Sequence, residues 1–438
     1  MAIHAFIAML HTGKWLRVIL AALACVMALI STSHIYTKAF FDNRFDNQRW
    51  GLDFYQFWYG GHFFWQGEEP YSSIQHDDKE PDAPTYFIDG HGKDSESRLH
   101  RRWKVSVIPG AAPLFLLMAP LSLLSWVNAS IAWSVMNVAL GAILVWLLVR
   151  LNGGKLASAE GMLLLGMFFS TIATRQTIEL GQTSLIVTAS MFGALLLGNG
   201  HPIIAGTLLA ISISKYTVGF PLFLYFMYRR WLRGIASCIA SHLLGIVVLA
   251  AVGKVSPFQV VRAYISSSAS VLQQTAGYSI HLFALEWGLI AYLLVGASTI
   301  VVLWALIVWH RKSTSAIRED MLTALTLIGI CSLWSLLSLY HGRQDMVAAF
   351  TFLALVILRA GNDRARNFPA CYYQLTAVQK NLLYIFTIFV FLVWSLPLYA
   401  LIGNIAYRWL YAACNIGVLV TLVALLFKIQ QPVTQSQQ

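Results

Sequence analysis

Ala129-Ser-Ile-Ala-Trp-Ser-Val-Met-Asn-Val-Ala-Leu-Gly-Ala-Ile-Leu-Val-Trp-Leu-Leu-Val149 runs without a charged side chain until Arg150 closes it. A helix needs about 20 apolar residues to cross a hydrocarbon core of about 30 Å. The run is continuous rather than alternating, so it reads as a membrane helix and not as a barrel strand. Comparable segments lie on both sides of it, at about 16–31, 105–126, 158–174, 183–198, 202–214, 217–228, 234–252, 281–309, 321–340, 345–358, 380–402 and 405–427. The chain as a whole is 58% hydrophobic and 11% charged, against about 25% charged for a soluble domain. These features predict an all-α, polytopic integral membrane helix bundle of about 11–13 spans, forming one transmembrane unit over residues 1–438. The first segment, behind a short basic start, has no convincing cleavage site and reads as a retained helix.

Charge sets the expected orientation. Residues 34–104 carry twelve of the 19 acidic and nine of the 30 basic residues, a net −3, and the rest of the chain is at +14. The surplus sits in short connectors: Arg150/Lys155, Arg229/Arg230/Arg233, His310-Arg-Lys312 with Arg318, and Arg359/Arg364/Arg366. This is the positive-inside pattern and not a nucleic-acid patch. It places the 34–104 loop outside, facing a periplasm or lumen. Plain spans at 105–126 and 129–149 would then put Arg150 and Lys155 outside as well. Pro109, Pro113 and Pro120 make 105–126 a candidate broken or re-entrant segment, which would resolve the conflict. The stretch 281–309 exceeds one span and is expected to tilt or break. The five cysteines (Cys25, Cys238, Cys331, Cys371 and Cys414) have neither metal-ligand nor redox spacing and read as buried small apolar groups.

The first half of the outer loop is aromatic: Asp53-Phe-Tyr-Gln-Phe-Trp58-Tyr59-Gly60-Gly61-His62-Phe-Phe-Trp65-Gln-Gly67-Glu-Glu-Pro70-Tyr71. It is expected to form helices lying in the membrane interface. The second half, rich in Pro, Gly, Asp and Ser, reads as loop. A carboxylate among interfacial rings is costly, and Asp53 is the only acid within 50–66. Two roles suit it equally on these grounds: a general base, or a helix N-cap bonding the amides of Tyr55 or Gln56. Glu68 and Glu69 precede Pro70 in an expected turn and read as solvated. Trp58, Tyr59, Trp65 and Tyr71 suit stacking on a sugar, and suit an interfacial aromatic belt equally well.

Further polar residues interrupt apolar surroundings. Lys215 lies between two apolar segments, where it suits an anion site or snorkelling to the interface. Gln182, after Gly181, suits a bond to sugar or phosphate, or an interhelical hydrogen bond. Arg175 and Glu179, four residues apart, suit a mutual pair. Tyr340-His341-Gly342-Arg343-Gln344-Asp345 breaks two apolar segments. There Arg343 suits a bidentate phosphate contact and His341 suits proton sharing or acceptor orientation, with an Arg343–Asp345 pair as the plainer alternative. No metal constellation stands out and no cofactor is expected.

Asp53-x4-Trp58-x-Gly60-Gly61-x5-Gly67-x2-Pro70-Tyr71 resembles the first-loop motif of glycosyltransferase family 87. Pro113-Leu-Phe-Leu-Leu-Met-Ala-Pro120 resembles that family's proline-bracketed segment. Leu180-Gly181-Gln182-Thr-Ser, Gly198-Asn-Gly-His-Pro202-Ile-Ile-Ala-Gly206, Ser214-Lys215-Tyr-Thr and Tyr228-Arg-Arg-Trp-Leu-Arg233 resemble its central block in order and spacing. The likeness covers roughly residues 50–235. It departs from the family pattern at Gly110-Ala-Ala-Pro113 and in the late Pro221.

The resemblance implies a GT-C fold and sugar transfer from a polyprenyl-phosphate donor, a hexose such as mannose or a pentose, to a lipid-linked or envelope glycan acceptor. It favours Asp53 as the base, with His341 beside it. It gives Lys215 and Arg343 to the donor phosphate, and Trp58, Tyr59, Tyr71 and Gln182 to sugar or acceptor. The expected partners are the lipid-linked donor, the acceptor and membrane lipid, with no nucleic acid. The expected site is a bacterial inner membrane with the active centre facing the periplasm. A polyprenyl-lipid translocase and a non-catalytic lipid-binding homologue remain alternatives; a translocase would show paired broken segments in two related halves.

Overall fold

The structure, a computed structural model, describes residues 52–76, 110–274, 289–338, 343–360, 372–395 and 404–430, with a few positions between 22 and 37. Most of the first apolar segment, residues 77–109 of the outer loop, and His341 lie outside the described residues.

The chain is helical throughout these stretches, and the expected all-α polytopic membrane architecture holds. In chain order the helices are α1 (Leu52–Trp65), α2 (Pro70–His76), α3 (Ala112–Met118, continued by a 3-10 turn over Ala119–Leu123), α4 (Trp126–Leu151), α5 (Ala159–Ser170) and α6 (Ile172–Leu180). Next come α7 (Ser184–Leu197), α8 (Pro202–Ile213), α9 (Tyr216–Tyr228), α10 (Leu232–Val252), α11 (Pro257–Gln274), α12 (Leu289–Lys312), α13 (Ser315–Glu319) and α14 (Met321–Ser338). A 3-10 helix (Arg343–Phe350), α15 (Thr351–Leu355), a π-helical turn (Val356–Ala360), α16 (Ala377–Ser395) and α17 (Asn404–Leu426) complete the described helices. The strands among the described residues are a two-residue antiparallel ladder pairing Tyr372 with Gln430 and Tyr373 with Ile429.

Among the described residues, five helices are long and apolar enough to cross a membrane: Trp126–Leu151, Leu232–Val252, Val295–Lys312, Val378–Ser395 and Trp409–Leu426. The pair α6 and α7 makes a sixth if counted as one element, bent by 116°. Most other apolar segments seen in the sequence form helices too short to cross alone. Their shortness is what builds the site.

The segment 112–123 does not cross. Near its start, the Tyr71 hydroxyl donates to the Gly110 carbonyl at 2.7 Å. At its end, the Trp58 and Trp65 indoles donate to the Leu124 and Ala119 carbonyls at 3.0 and 3.1 Å. Both ends therefore sit against the α1–α2 layer. Pro113 opens the helix and Pro120 opens the 3-10 turn, positions where a missing N–H costs no intrahelical bond. The 26-residue α4, about 39 Å long, then carries the chain to Arg150 on the opposite face. At 12 residues, Ala112–Leu123 is among the apolar helices too short to cross a membrane alone.

The aromatic helix α1 is packed rather than spread on the surface. Phe54 stacks on Trp133 at 5.5 Å and on Trp126 at 5.9 Å. Phe54, Tyr55, Phe57 and Tyr59 are all buried. With rings on several sides, this helix docks on α4 and the 3-10 turn. Gly61 permits the docking: a Cβ there would fall 2.3 Å from the Ser122 Oγ. Glu69, expected to be solvated, is 4% exposed. Its carboxylate accepts from the Tyr71 and Ser72 amides at 3.0 and 2.7 Å, capping α2.

Candidate active site

Three chain breaks meet at one point. The first is the bend between α6 and α7. Thr171 caps α6, its hydroxyl accepting from the Thr174 amide, and Gly181 ends it with φ +66°, the left-handed cap glycine favours. The Trp133 indole donates to the Gly181 carbonyl at 2.8 Å, which fixes the bend against α4. The second break is Lys215, between α8 and α9, in an extended conformation with φ −116° and ψ 83°. Its carbonyl accepts from the amides of Val218 and Gly219, both at 3.0 Å, and the Ser335 hydroxyl anchors the following turn on the Thr217 carbonyl at 2.8 Å. The third is the first turn of α1, which carries Asp53.

The side chains from these breaks form one chain of hydrogen bonds. The Gln182 Nε2 donates to the Asp53 Oδ2. The Gln182 Oε1 accepts from the Lys215 Nζ at 3.1 Å, and the same ammonium donates to the Ser184 Oγ at 3.0 Å. A neutral amide thus bridges a carboxylate and an ammonium. Asp53, Gln182 and Lys215 are half-buried, and Ser184 is fully buried. The arrangement offers a proton acceptor and a fixed positive charge a few ångströms apart, each still accessible.

Helix lengths give the depth of this point. Gly198, at the end of α7, packs on Trp231. Gly206, near the start of α8, packs on Gly234. Phe226, near the end of α9, stacks edge-on against Trp231 at 4.9 Å. All three helices therefore share one corner with the start of α10. Helices α7, α8 and α9 have 14, 12 and 13 residues, and so rise only about 18–21 Å from that corner. The 21-residue α10 rises about 30 Å and ends with Gly253 against the Glu69 backbone. Helices α7, α8 and α9 are thus about 10 Å shorter than α10, and the first turn of α1 brings Asp53 to their ends at the site.

Of the residues singled out in the sequence, Asp53, Gln182 and Lys215 converge. Both ends of the Gln182 amide are engaged, so it acts here as a bridge. Tyr71 is buried beside Tyr264 and Phe115, and burial pushes its hydroxyl pKa well up, keeping it the donor to Gly110. Tyr59 is buried between Tyr55 and Phe63. Both rings are positioned to pack the layer that roofs the site. Trp58 is half-buried, edge-on to His62 at 4.3 Å, and burial holds the His62 pKa below its ordinary value. Arg343 opens the 3-10 helix that packs on α6; its side chain and His341 lie outside the described residues. Arg175 and Glu179 sit one turn apart on α6. Sequence reasoning missed Ser184 and Trp133. Ser184 stands two residues after Gln182 at the start of a helix, a signal that was available, whereas the Trp133 contact to Gly181 depends on packing alone.

No curated protein and no solved structure matches the chain. The family model of glycosyltransferase family 87 matches residues 112–338, more than half of the chain, and covers Gln182, Ser184 and Lys215 while leaving Asp53 outside. The chain belongs to glycosyltransferase family 87 and is a membrane glycosyltransferase.

Proposed function

We propose that this protein transfers one sugar, a hexose such as mannose or a pentose, from a polyprenyl-phosphate donor to a lipid-linked or envelope glycan acceptor, with inversion. The observation that carries the reading is the Asp53–Gln182–Lys215 chain, which joins three distant segments at the ends of short apolar helices. In the proposed reaction the acceptor hydroxyl gives its proton to the Asp53 carboxylate as its oxygen attacks the anomeric carbon. The bond from that carbon to the phosphate oxygen breaks, and the lipid phosphate leaves with the electron pair. Displacement in one step from the face opposite the phosphate inverts the centre.

Lys215 supports the departing charge, and so do the N-termini of α7 and α9, which both open at the site. Ser184 holds the Lys215 ammonium on that side. The Gln182 amide links base and cation. Arg343 and His341 are assigned to phosphate and acceptor respectively on sequence grounds, and Trp58 to the sugar. The site includes Asp53 of α1, and on the charge pattern the α1–α2 layer faces the periplasmic side of a bacterial inner membrane.

The test is transfer by the purified protein in nanodiscs, across a panel of polyprenyl-phosphate hexoses and pentoses with a lipid-linked glycan acceptor. The reading predicts release of free polyprenyl phosphate together with a glycosylated product of inverted anomeric configuration. Movement of labelled donor between leaflets without product would instead mark a translocase. Donor binding without either would mark a non-catalytic homologue.

A further inference from the structure

The corner shared by α7–α10 lies about 20 Å from the active site, and a separate set of side chains gathers there. Three connectors meet. The Tyr228 hydroxyl and the His310 Nδ1 are 3.0 Å apart. The Arg229 Nη1 donates to the Tyr225 hydroxyl at 2.9 Å and to the Glu319 carbonyl at 3.4 Å. The Arg318 Nη1 donates to the His310 carbonyl at 3.1 Å. The Arg229 guanidinium also lies over the Trp231 ring, 5.3 Å from its centroid. This frame leaves Arg230, Arg233, Arg311 and Lys312 exposed on one side of the molecule. The acidic neighbours are Glu319 and Asp320, and the Asp320 carboxylate caps α14 by accepting from the Leu322 amide at 2.7 Å.

The position fixes what such a surface meets. It stands at the start of α10 and the end of α12, both candidate spans. Those spans present Leu232, Leu243 and Leu244, and Leu303 and Trp304, outward. Where two lipid-facing helices end, exposed arginine and lysine lie at headgroup level. Helices α1 and α2 pack at the other end of α10, where Glu69 meets Gly253. The acids Asp53, Glu68 and Glu69 of a second copy in the same membrane orientation therefore do not face this corner.

We propose that this corner binds the phosphodiester headgroups of acidic phospholipids, through Arg230, Arg233, Arg311 and Lys312 on the scaffold fixed by Arg229 and Arg318. The site is independent of sugar transfer and anchors the end of the helices whose other ends form the active centre.

The experiment is a native mass spectrometry titration of the detergent-solubilised full chain with phosphatidylglycerol, phosphatidylcholine or inorganic phosphate. It compares the wild type, the quadruple variant Arg230→Gln/Arg233→Gln/Arg311→Gln/Lys312→Gln, and the opposite-face control Lys254→Gln/Arg262→Gln. The expected result is phosphatidylglycerol binding at least about tenfold tighter than phosphatidylcholine in the wild type and control, with the preference abolished in the quadruple variant. Raising salt should weaken the wild-type preference, a reading that does not depend on any variant folding. A preference that survives in the quadruple variant, is lost equally in the control, or is indifferent to salt overturns the proposal. So does complete displacement of the lipid by millimolar phosphate, which would mark a free-anion site.

Discussion

At the residue scale the account turns on a neutral amide set between opposite charges. The Gln182 side chain donates to Asp53 and accepts from Lys215, so replacing it removes one hydrogen bond from each of two half-buried charges. Gln182→Leu should cost roughly 1–3 kcal/mol of stability and depress turnover even where the protein folds. Thermal unfolding in nanodiscs and the transfer rate, measured on one preparation, check both effects. Lys215→Gln should lower kcat/KM for the lipid donor by about a hundredfold or more, because removing a preorganised donor to a developing oxyanion costs about 10²–10³. Ser184→Ala should act in the same direction by no more than about tenfold, since one neutral hydrogen bond contributes about 1 kcal/mol. Unchanged donor kinetics in Lys215→Gln would mean that the phosphate is held elsewhere.

At the scale of elements, the working parts are breaks rather than helices. Much of this was legible in the sequence: Gly181 before Gln182, Lys215 between apolar runs, and prolines bracketing 105–126 all signalled interruption. What could not be read was how the breaks meet. The 116° bend between α6 and α7 depends on the Trp133 bond to Gly181, a contact 48 residues apart in sequence. That α1 is an aromatic helix was legible, but not that Phe54 would stack on Trp126 and Trp133. Partner rings elsewhere in the chain decided that outcome, and the composition of α1 alone did not contain it. The Glu69 cap was hidden for the same reason, since a turn acid looks solvated until the α2 amides are placed beside it. The close approach of α1 to the 3-10 turn gives a sharp check. Gly61→Ala brings a Cβ to within 2.3 Å of the Ser122 Oγ, and relieving that overlap should cost about 1–3 kcal/mol. Adding Ser122→Gly removes the obstructing atoms, so the double variant should regain most of the lost thermal midpoint. Additive losses would show that the two residues do not press on each other.

At the scale of the whole molecule, α10 measures the membrane, and α7, α8 and α9 fall short of it. Basic connectors gather at the corner these helices share with the start of α10. The positive-inside pattern, together with a re-entrant 112–123 segment, defines the topology we propose. In intact cells, a membrane-impermeant maleimide should label Glu68→Cys and leave Arg311→Cys unlabelled until the membrane is opened; equal labelling of both would break that topology. The central claim, that Asp53 is the base of a sugar transfer at this site, is tested most directly by comparing wild type with Asp53→Asn at saturating donor in nanodiscs. The substitution keeps the side chain's size and its contact with Gln182 while removing the basic carboxylate. The account predicts a loss in kcat of at least about a hundredfold, since general-base catalysis contributes 10²–10⁴, with donor KM little changed. An Asp53→Asn protein that transfers sugar at the wild-type rate would contradict it.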